Sequence, residues 1–219
     1  MRYKCLVLDH DDTVVNSTAV LHYPSFLAFL DVVRPGLSAR YTLEDYFEKN
    51  FAPGIMELFT DEIGLSAQEV DEEFRFWQSF IKTRIPAVYP GMREILQRHR
   101  QEGGILTVVS HSMRDTIVRD YRENGLPEPD LVYGWELPPE QRKPSPWPLL
   151  RIMETFGLRP EEMLMLDDLK PGFDSARACG VPFAASGWAN DVPVIESFMR
   201  KNCDYYFKTV EELDAFLRS

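Results

Sequence analysis

Short, wholly apolar runs alternate with amphipathic stretches over most of this chain. Residues 5–8 (CLVL), 105–109 (ILTVV), 131–133, 163–166, 181–184 and 205–207 each read as a strand, since each is too short for a stable helix. Runs that are apolar at every position, not at alternate ones, mark strands covered on both faces, as in a parallel sheet. Between them the pattern predicts helices over 92–102, from Ser112 to Gly125, from Pro146 to Gly157, over 171–179, and a last one from about Val210. Ser112 followed by Asp115 reads as a helix cap. Pro146 sits where a first helical turn tolerates proline. Strand and helix in alternation predict parallel strands joined by right-handed crossovers.

Residues 17 to about 87 break that rhythm and read as helical throughout, with no convincing strand. Thr42 with Asp45 and Ser66 with Glu69 have the spacing of capping boxes. Pro24 should kink or delay the first helix, and Arg34-Pro35-Gly36 ends it. Pro53 opens a helix that stops at Gly64, and the helix from Ser66 should run to about Arg84. Its residues Phe74, Trp77, Phe80 and Ile81 form one apolar stripe, read here as core packing. The whole is an α/β domain interrupted after its first strand by a helical insertion of domain size.

The first apolar run ends abruptly in Asp9, Asp11, Asp12 and Thr13. Unpaired charge cannot continue into a core, so the strand should stop near Leu8 with the acids at its carboxyl tip. That edge is where open α/β sheets bind ligands. Residues two apart on extended chain share a side, so Asp9 and Asp11 face one way and His10 the other. Carboxylates that close either hold a cation or split their pKa values.

Composition narrows the partners. The 219 residues carry a formal net charge of −11, which argues against nucleic acid and against an anionic membrane surface. Cys5, Cys179 and Cys203 form neither a CxxC nor a Cys/His cluster, so reduced thiols in a cytoplasm are expected, and no structural zinc. Asp9 cuts the first apolar run too soon for a signal peptide. No apolar stretch is long enough to span a bilayer.

Read together, the strand tips assemble a chemistry. The first ends in Asp9 and Asp11, the second in Ser110, and the fourth in Asp167-Asp168; Lys143 lies in the connection before the fourth. Clustered carboxylates call for a divalent cation, and an all-oxygen set suits Mg²⁺. A helix N-terminus beside Ser110 suits a phosphate. With a lysine and a nucleophilic carboxylate, these groups describe phosphoryl transfer.

On these residues the chain resembles the haloacid dehalogenase superfamily, in the helical-cap subclass that includes phosphoglycolate phosphatases and β-phosphoglucomutases. Asp9-His10-Asp11-Asp12-Thr13 resembles its DxDGT motif, Ser110 closing LTVVS its second motif, Lys143 in KPSP its third, and Asp167-Asp168 with Gly172 and Gly180 its acidic fourth. The resemblance implies a Rossmann-like parallel sheet core, residues 1–15 and 88–219, with a helical cap domain, residues 16–87, inserted after the first strand. It implies Asp9 as nucleophile, Asp11 as acid and base, and Lys143 as the charge that ties Asp9 in place. Ser110, Thr13 and Lys143 would bind the phosphoryl group, with His111 counted beside them and a rim position as its alternative. Thr13 could instead only shape the turn. Asp9, Asp168 and the backbone carbonyl of Asp11 would hold Mg²⁺, with Asp167 close by. His10 is expected at the rim. Lys49 and Asn50, in the loop to Gly54, would select the substrate, a solvated lysine being the other reading of Lys49.

The sequence departs from the motif at Asp12, where the family has glycine, and at His111, where asparagine is common. Asp tolerates unusual dihedrals better than most residues. The function implied is a Mg²⁺-dependent phosphatase of a small phosphorylated metabolite, acting as a cytoplasmic monomer or weak homodimer. A phosphomutase is the alternative, since such relatives carry a cap histidine near the position of His22. A dehalogenase lacks the second acid, and a catalytically weak binding or regulatory protein needs no complete set of motifs.

Overall fold

The computed structural model describes residues 2–219. The first strand, β1 (Cys5–Leu8), is fully buried, and its neighbours explain why every position is apolar. After β1 come β2 (Val15–Asn16), a π-helical turn over Thr18–His22, and the helices α1 (Tyr23–Val33), α2 (Leu43–Phe51), α3 (Ile55–Glu57) and α4 (Ala67–Ile81). β3 (Ala87–Val88) then returns the chain to α5 (Met92–Gln101), β4 (Ile105–Val109), α6 (Arg114–Glu123), β5 (Leu131–Tyr133) and α7 (Trp147–Phe156). The chain closes with β6 (Met163–Asp167), α8 (Lys170–Cys179), β7 (Phe183–Ser186), α9 (Pro193–Asn202), β8 (Tyr205–Phe207) and α10 (Val210–Arg218).

Six strands form one sheet in the order β5-β4-β1-β6-β7-β8, every pairing parallel. The pleat sorts each strand between two cores. Leu6, Leu8, Leu106, Val108, Leu164 and Leu166 face α5, α6 and α10. Cys5, Val7, Val109, Met163, Met165 and Phe183 face α7, α8 and α9. The sheet's place at the centre of an α/β fold is as the sequence implied. Two details differ. β7 begins at Phe183, not Val181, because Pro182 has no N–H for the ladder. α9, opened by Pro193, has no counterpart among the helices read from the sequence.

The helical insertion has its own apolar cluster, with Phe26, Phe29, Leu30, Tyr46, Leu58 and Phe59 at its heart. Both capping boxes form: Thr42 with Asp45 on α2, and Ser66 with Glu69 on α4. Pro24 has no N–H for the helical ladder, and the chain before it widens into the π turn. α2 bridges two cores: Tyr46 stays in the insertion's cluster, while Phe47 and Phe51 join the sheet's second core, with Phe51 edge-on to Phe198 of α9. The insertion meets the sheet through two adjacent strands, β2 and β3, paired antiparallel with Val15 opposite Val88. Among the described residues no helix is long and apolar enough to cross a membrane.

Candidate active site

The carboxyl edge of the sheet is set by β1 and its two neighbours. Asp9 N–H donates to the Leu166 carbonyl at 2.8 Å, the last rung of the β1–β6 ladder. Beyond it the chain turns: Asp12 N–H donates to Val15 O at 2.7 Å, and Asp12 takes a φ of 56°, the left-handed region where the motif has glycine. Asp accepts that conformation because its short polar side chain finds local partners. Here Asp12 Oδ1 accepts the N–H groups of Ser17 and Thr18, both at 3.3 Å, and so caps the start of the π turn.

Lys143 binds the acids together. Its Nζ donates to Asp9 Oδ1 at 2.8 Å and to Asp167 Oδ2 at 2.6 Å, with all three residues buried. Burial opposes the ammonium, but the Asp167 and Asp9 carboxylates outweigh it and hold Lys143 above its ordinary range. Removing one member of such a buried set costs about 3–5 kcal/mol, because the remaining charge is left uncompensated. Asp167 Oδ1 accepts the N–H of Leu169 at 2.8 Å. α8 crosses so close that a Cβ on Gly172 would lie 2.1 Å from Asp167 Oδ2, so glycine is the residue that fits. On the other side of β1, Ser110 lies at the tip of β4, and its Oγ accepts Ser112 N–H at 3.1 Å.

Asp9, Asp167 and Asp168 bring one oxygen each within 4.8 Å of one another. Asp168 Oδ1 is buried and has no partner among the described residues. Burial, then Asp12, Asp167 and Asp9, push the Asp168 carboxyl well above its usual range. An orphaned oxygen amid mutually repelling carboxylates is the environment that a divalent cation relieves, and hard oxygen donors fit one. The side chain of Asp11 is outside this group.

Asp11 instead has three hydrogen-bond donors from three segments. Ser17 Oγ reaches Oδ1 at 2.7 Å, His22 Nε2 reaches Oδ1 at 2.9 Å, and Ser112 Oγ reaches Oδ2 at 2.5 Å. Burial opposes ionisation of Asp11, but His22, His10 and the Ser112 hydroxyl together hold its carboxyl below the usual range. The indole Nε1–H of Trp77 donates to His22 Nδ1 at 2.9 Å. An indole can only donate, so Nδ1 is unprotonated, and the proton of a neutral His22 sits on Nε2, facing Asp11.

Other residues fall differently from the sequence reading. Ser112, read as a helix cap, makes no cap bond to α6 and serves Asp11. His10 is not at a rim but wholly buried, its Nε2 3.1 Å from Asp120 Oδ2, with its ring stacked on Tyr121. Asp120 in turn accepts Arg119 Nε at 2.9 Å, and the Arg119 guanidinium donates to the carbonyls of Ile81, Lys82 and Arg84 behind α4. That end of α4 therefore stops at Ile81, short of Arg84. His111 Nε2 lies 3.0 Å from the Lys143 carbonyl; burial and the Lys143 charge lower it to about 4, so the ring is neutral. Thr13 is buried, and its hydroxyl has no partner among the described residues.

A cavity of about 500 Å³ opens over this edge, between the sheet and the insertion. Asp9, Asp11, Asp168, Ser110, His111 and Lys143 line its floor. Tyr46, Phe47, Phe59, Phe74 and Trp77 line its roof, with Asn50, Asp71 and Glu73. Phe74 and Trp77 thus wall a cavity where core packing was expected, because the stripe faces the sheet's edge across open space. Asn50 is brought to the cavity, although its Nδ2 is spent on the Tyr46 carbonyl at 2.7 Å. Lys49 is not: it lies on the far side of α2, its ammonium paired with Glu62. Thr13 and Asp167 stay beneath the floor. The sequence named His22 as a cap histidine, Trp77 in an apolar stripe and Ser112 as a helix cap, but nothing local joined them to one another or to Asp11.

A parallel sheet with acids and a lysine at its carboxyl edge, and helices inserted after β1, has the architecture of the haloacid dehalogenase-type hydrolases. The profile of the haloacid dehalogenase-like hydrolase family matches residues 6–186, and the chain belongs to that family. It is 26% identical over 154 residues to a phosphoglycolate phosphatase of Haemophilus influenzae, covering 68% of this chain and 66% of that protein. It is 24% identical over 190 residues to the pyrophosphatase PpaX of Halalkalibacterium halodurans, covering 86% of each. A haloacid dehalogenase-like family hydrolase from Streptococcus pneumoniae superposes with a TM-score of 0.78 over 99% of both chains, at 18% identity, a likeness of fold.

Proposed function

We propose that the chain is a Mg²⁺-dependent phosphatase of a small phosphorylated metabolite, working through an aspartyl-phosphate on Asp9, with residues 16–87 as a cap over the core of 1–15 and 88–219. The observation that carries this reading is the pairing of Lys143 with Asp9, beside an Asp11 that is held separately by its own donors. The relatives' names, a phosphoglycolate phosphatase and a pyrophosphatase, support a phosphate substrate.

Lys143 fixes Asp9 by Oδ1, which leaves Oδ2 with no hydrogen-bond partner among the described residues and available to attack phosphorus. The P–O bond to the alcohol breaks as the Asp9–phosphorus bond forms, and Asp11, ionised in the free site but able to take up a proton from solvent beside the phosphate anion, passes that proton to the departing oxygen. His22 presents an N–H to Oδ1 and the Ser112 hydroxyl donates to Oδ2, so a proton on Oδ2 requires that hydroxyl to turn and accept it. Asp11 then takes a proton from water as the water oxygen attacks phosphorus. Phosphate leaves and the Asp9 carboxylate is restored. Ser110, with Lys143, would hold the phosphoryl oxygens. Asp9 and Asp168, with the Asp11 carbonyl and Asp167 nearby, would hold Mg²⁺, which supplies positive charge against the phosphoryl oxygens when bound.

Asp9→Asn tests the reading. Turnover of 4-nitrophenyl phosphate with Mg²⁺ should fall below about a hundredth of wild type, in keeping with the usual cost of losing a nucleophile. The far-UV circular dichroism should not change. A variant that keeps more activity than that rules out covalent catalysis by Asp9. Undiminished wild-type turnover in excess chelator rules out the metal. A phosphomutase is the second reading, favoured by the cap residue His22 sitting on Asp11. Release of inorganic phosphate, measured against phosphoryl transfer within a sugar bisphosphate, separates the two.

A further inference from the structure

The phosphatase reading leaves open what kind of alcohol the phosphate is esterified to, and the roof of the cavity bears on that. Lys143 is the only lysine or arginine that lines the cavity among the described residues, and it is already shared by Asp9 and Asp167. The two histidines on the wall are committed to other partners: His22 accepts Trp77 at Nδ1 and faces Asp11, and His111 bonds the Lys143 carbonyl. Lys49, expected from the sequence to help select the substrate, is paired with Glu62 outside the cavity. An acidic leaving group, whether a carboxylate or a second phosphoryl group, would find, among the described residues, no lining cation that is not already paired with a carboxylate.

What it would find is acid. Glu73, on the cavity face of α4, is 9% exposed and makes no hydrogen bond or ion pair among the described residues. Burial lifts its carboxyl to about 7, against the pull of His22. A buried carboxyl left without a partner is costly, and it persists where a ligand supplies the partner. Asp71, two residues earlier on α4, is an exposed carboxyl that also borders the cavity. Around them stand Phe74 stacked on Trp77, with Tyr46, Phe47 and Phe59. Aromatic faces accept apolar surface and cations alike, and reject desolvated anions.

We infer that the substrate, on the phosphatase reading, is the phosphomonoester of an amino alcohol with an apolar or aromatic body, its ammonium received by Glu73 among the roof aromatics. The phosphoryl end sits on Ser110 and Lys143, and the cationic end rises to α4. The molecule is thus recognised by opposite charges at its two ends, with an apolar middle.

Three esters of one leaving-group frame test this: 4-(aminomethyl)phenyl, 4-(hydroxymethyl)phenyl and 4-(carboxymethyl)phenyl phosphate, assayed with the full chain and Mg²⁺ by phosphate release. The expected order of kcat/KM is amine, then hydroxyl, then carboxylate, with the amine about tenfold above the hydroxyl, as a charge-assisted hydrogen bond would give. In Glu73→Gln the amine-to-hydroxyl ratio should fall to about one, a change that altered folding or a general loss of activity would not produce. A carboxylate ester turned over as well as the amine overturns the inference while leaving the phosphatase reading intact. So does an amine-to-hydroxyl ratio that Glu73→Gln does not move. Failure of all three esters to release phosphate overturns the phosphatase reading itself, and this inference with it.

Discussion

Arg119 offers a quantitative check on how the helical insertion is fastened to the core. Its guanidinium donates to the carbonyls of Ile81 at 3.2 Å, Lys82 at 2.8 Å and Arg84 at 3.1 Å, and its Nε to Asp120 Oδ1 at 2.9 Å. Asp120 is buried and also faces His10, which stands between Asp9 and Asp11. Arg119→Ala removes one charge-assisted bond to a buried carboxylate, worth about 1.5–3 kcal/mol. The three carbonyls lie at the surface, where water replaces much of what is lost, so they add about 1 kcal/mol between them. The sum is about 2.5–4 kcal/mol, which for a chain of this length lowers Tm by roughly 5–16 °C. Thermal unfolding followed by circular dichroism, with urea melts as the second measure, reads the change. Arg119→Lys should recover less than half of it, because an ammonium cannot span three carbonyls and a carboxylate together. A fall in Tm of less than about 2 °C for Arg119→Ala would refute the reasoning, since it would mean the bonds are lost to water at no cost.

Two further outcomes are expected. Gly172→Ala puts a Cβ 2.1 Å from Asp167 Oδ2, so it should displace Asp167 from Lys143 and reduce turnover at least about tenfold, with about 1–3 kcal/mol of overpacking visible in a urea melt. Lys49→Ala removes only an ion pair with Glu62 at the surface, so stability should change by less than about 1 kcal/mol and steady-state kcat/KM should stay within about twofold on every ester.

The parts of the fold that the sequence discloses are those governed by local rules. The wholly apolar runs at β1, β4 and β6 are covered on both faces, and both Ser/Thr-x-x-Asp/Glu boxes form. The acids at the strand tips stand where buried charge forbids the strand to continue. Asp12 takes the positive φ that its place in the motif suggests. The rest depends on pairs far apart in sequence. Ser112 fits a helix cap as well as it fits a donor to Asp11, which is 101 residues away, and only the sheet order decides between them. An aromatic stripe at helical spacing has the same pattern whether it faces a core or a cavity, so Phe74 and Trp77 were legible as a face but not as a wall. The alternation that sends His10 to the opposite side from Asp9 and Asp11 was readable; its partner Asp120, on α6, was not. Lys49 is on a helix facing solvent, where its neutralisation by Glu62 from the next segment carries no sequence signal.

The same long-range pairs join the roof of the cavity to Asp11. Asp11 receives Ser17 from the junction after β2, His22 from the insertion and Ser112 from the core, so its geometry exists only when those segments are together. Trp77 does two things in that arrangement. Its ring is part of the aromatic roof, stacked with Phe74, while its N–H holds the His22 tautomer that turns a proton toward Asp11 Oδ1. Burial opposes a cationic His22, but the Asp11 carboxylate holds the ring above its ordinary range, while the indole disfavours a proton on Nδ1. The helix that carries Glu73 and the aromatic wall is therefore the helix that fixes the hydrogen bond to Asp11. Any displacement of α4 that loosens the roof also releases His22, and with it the orientation of Asp11. Its C-terminal end is tied by Arg119 through Asp120 to His10, on the other side of the same loop. The loop that holds Asp9 and Asp11 is thus linked twice to the C-terminal part of α4, so the position of one helix bears on the roof of the cavity and the geometry of Asp11 together.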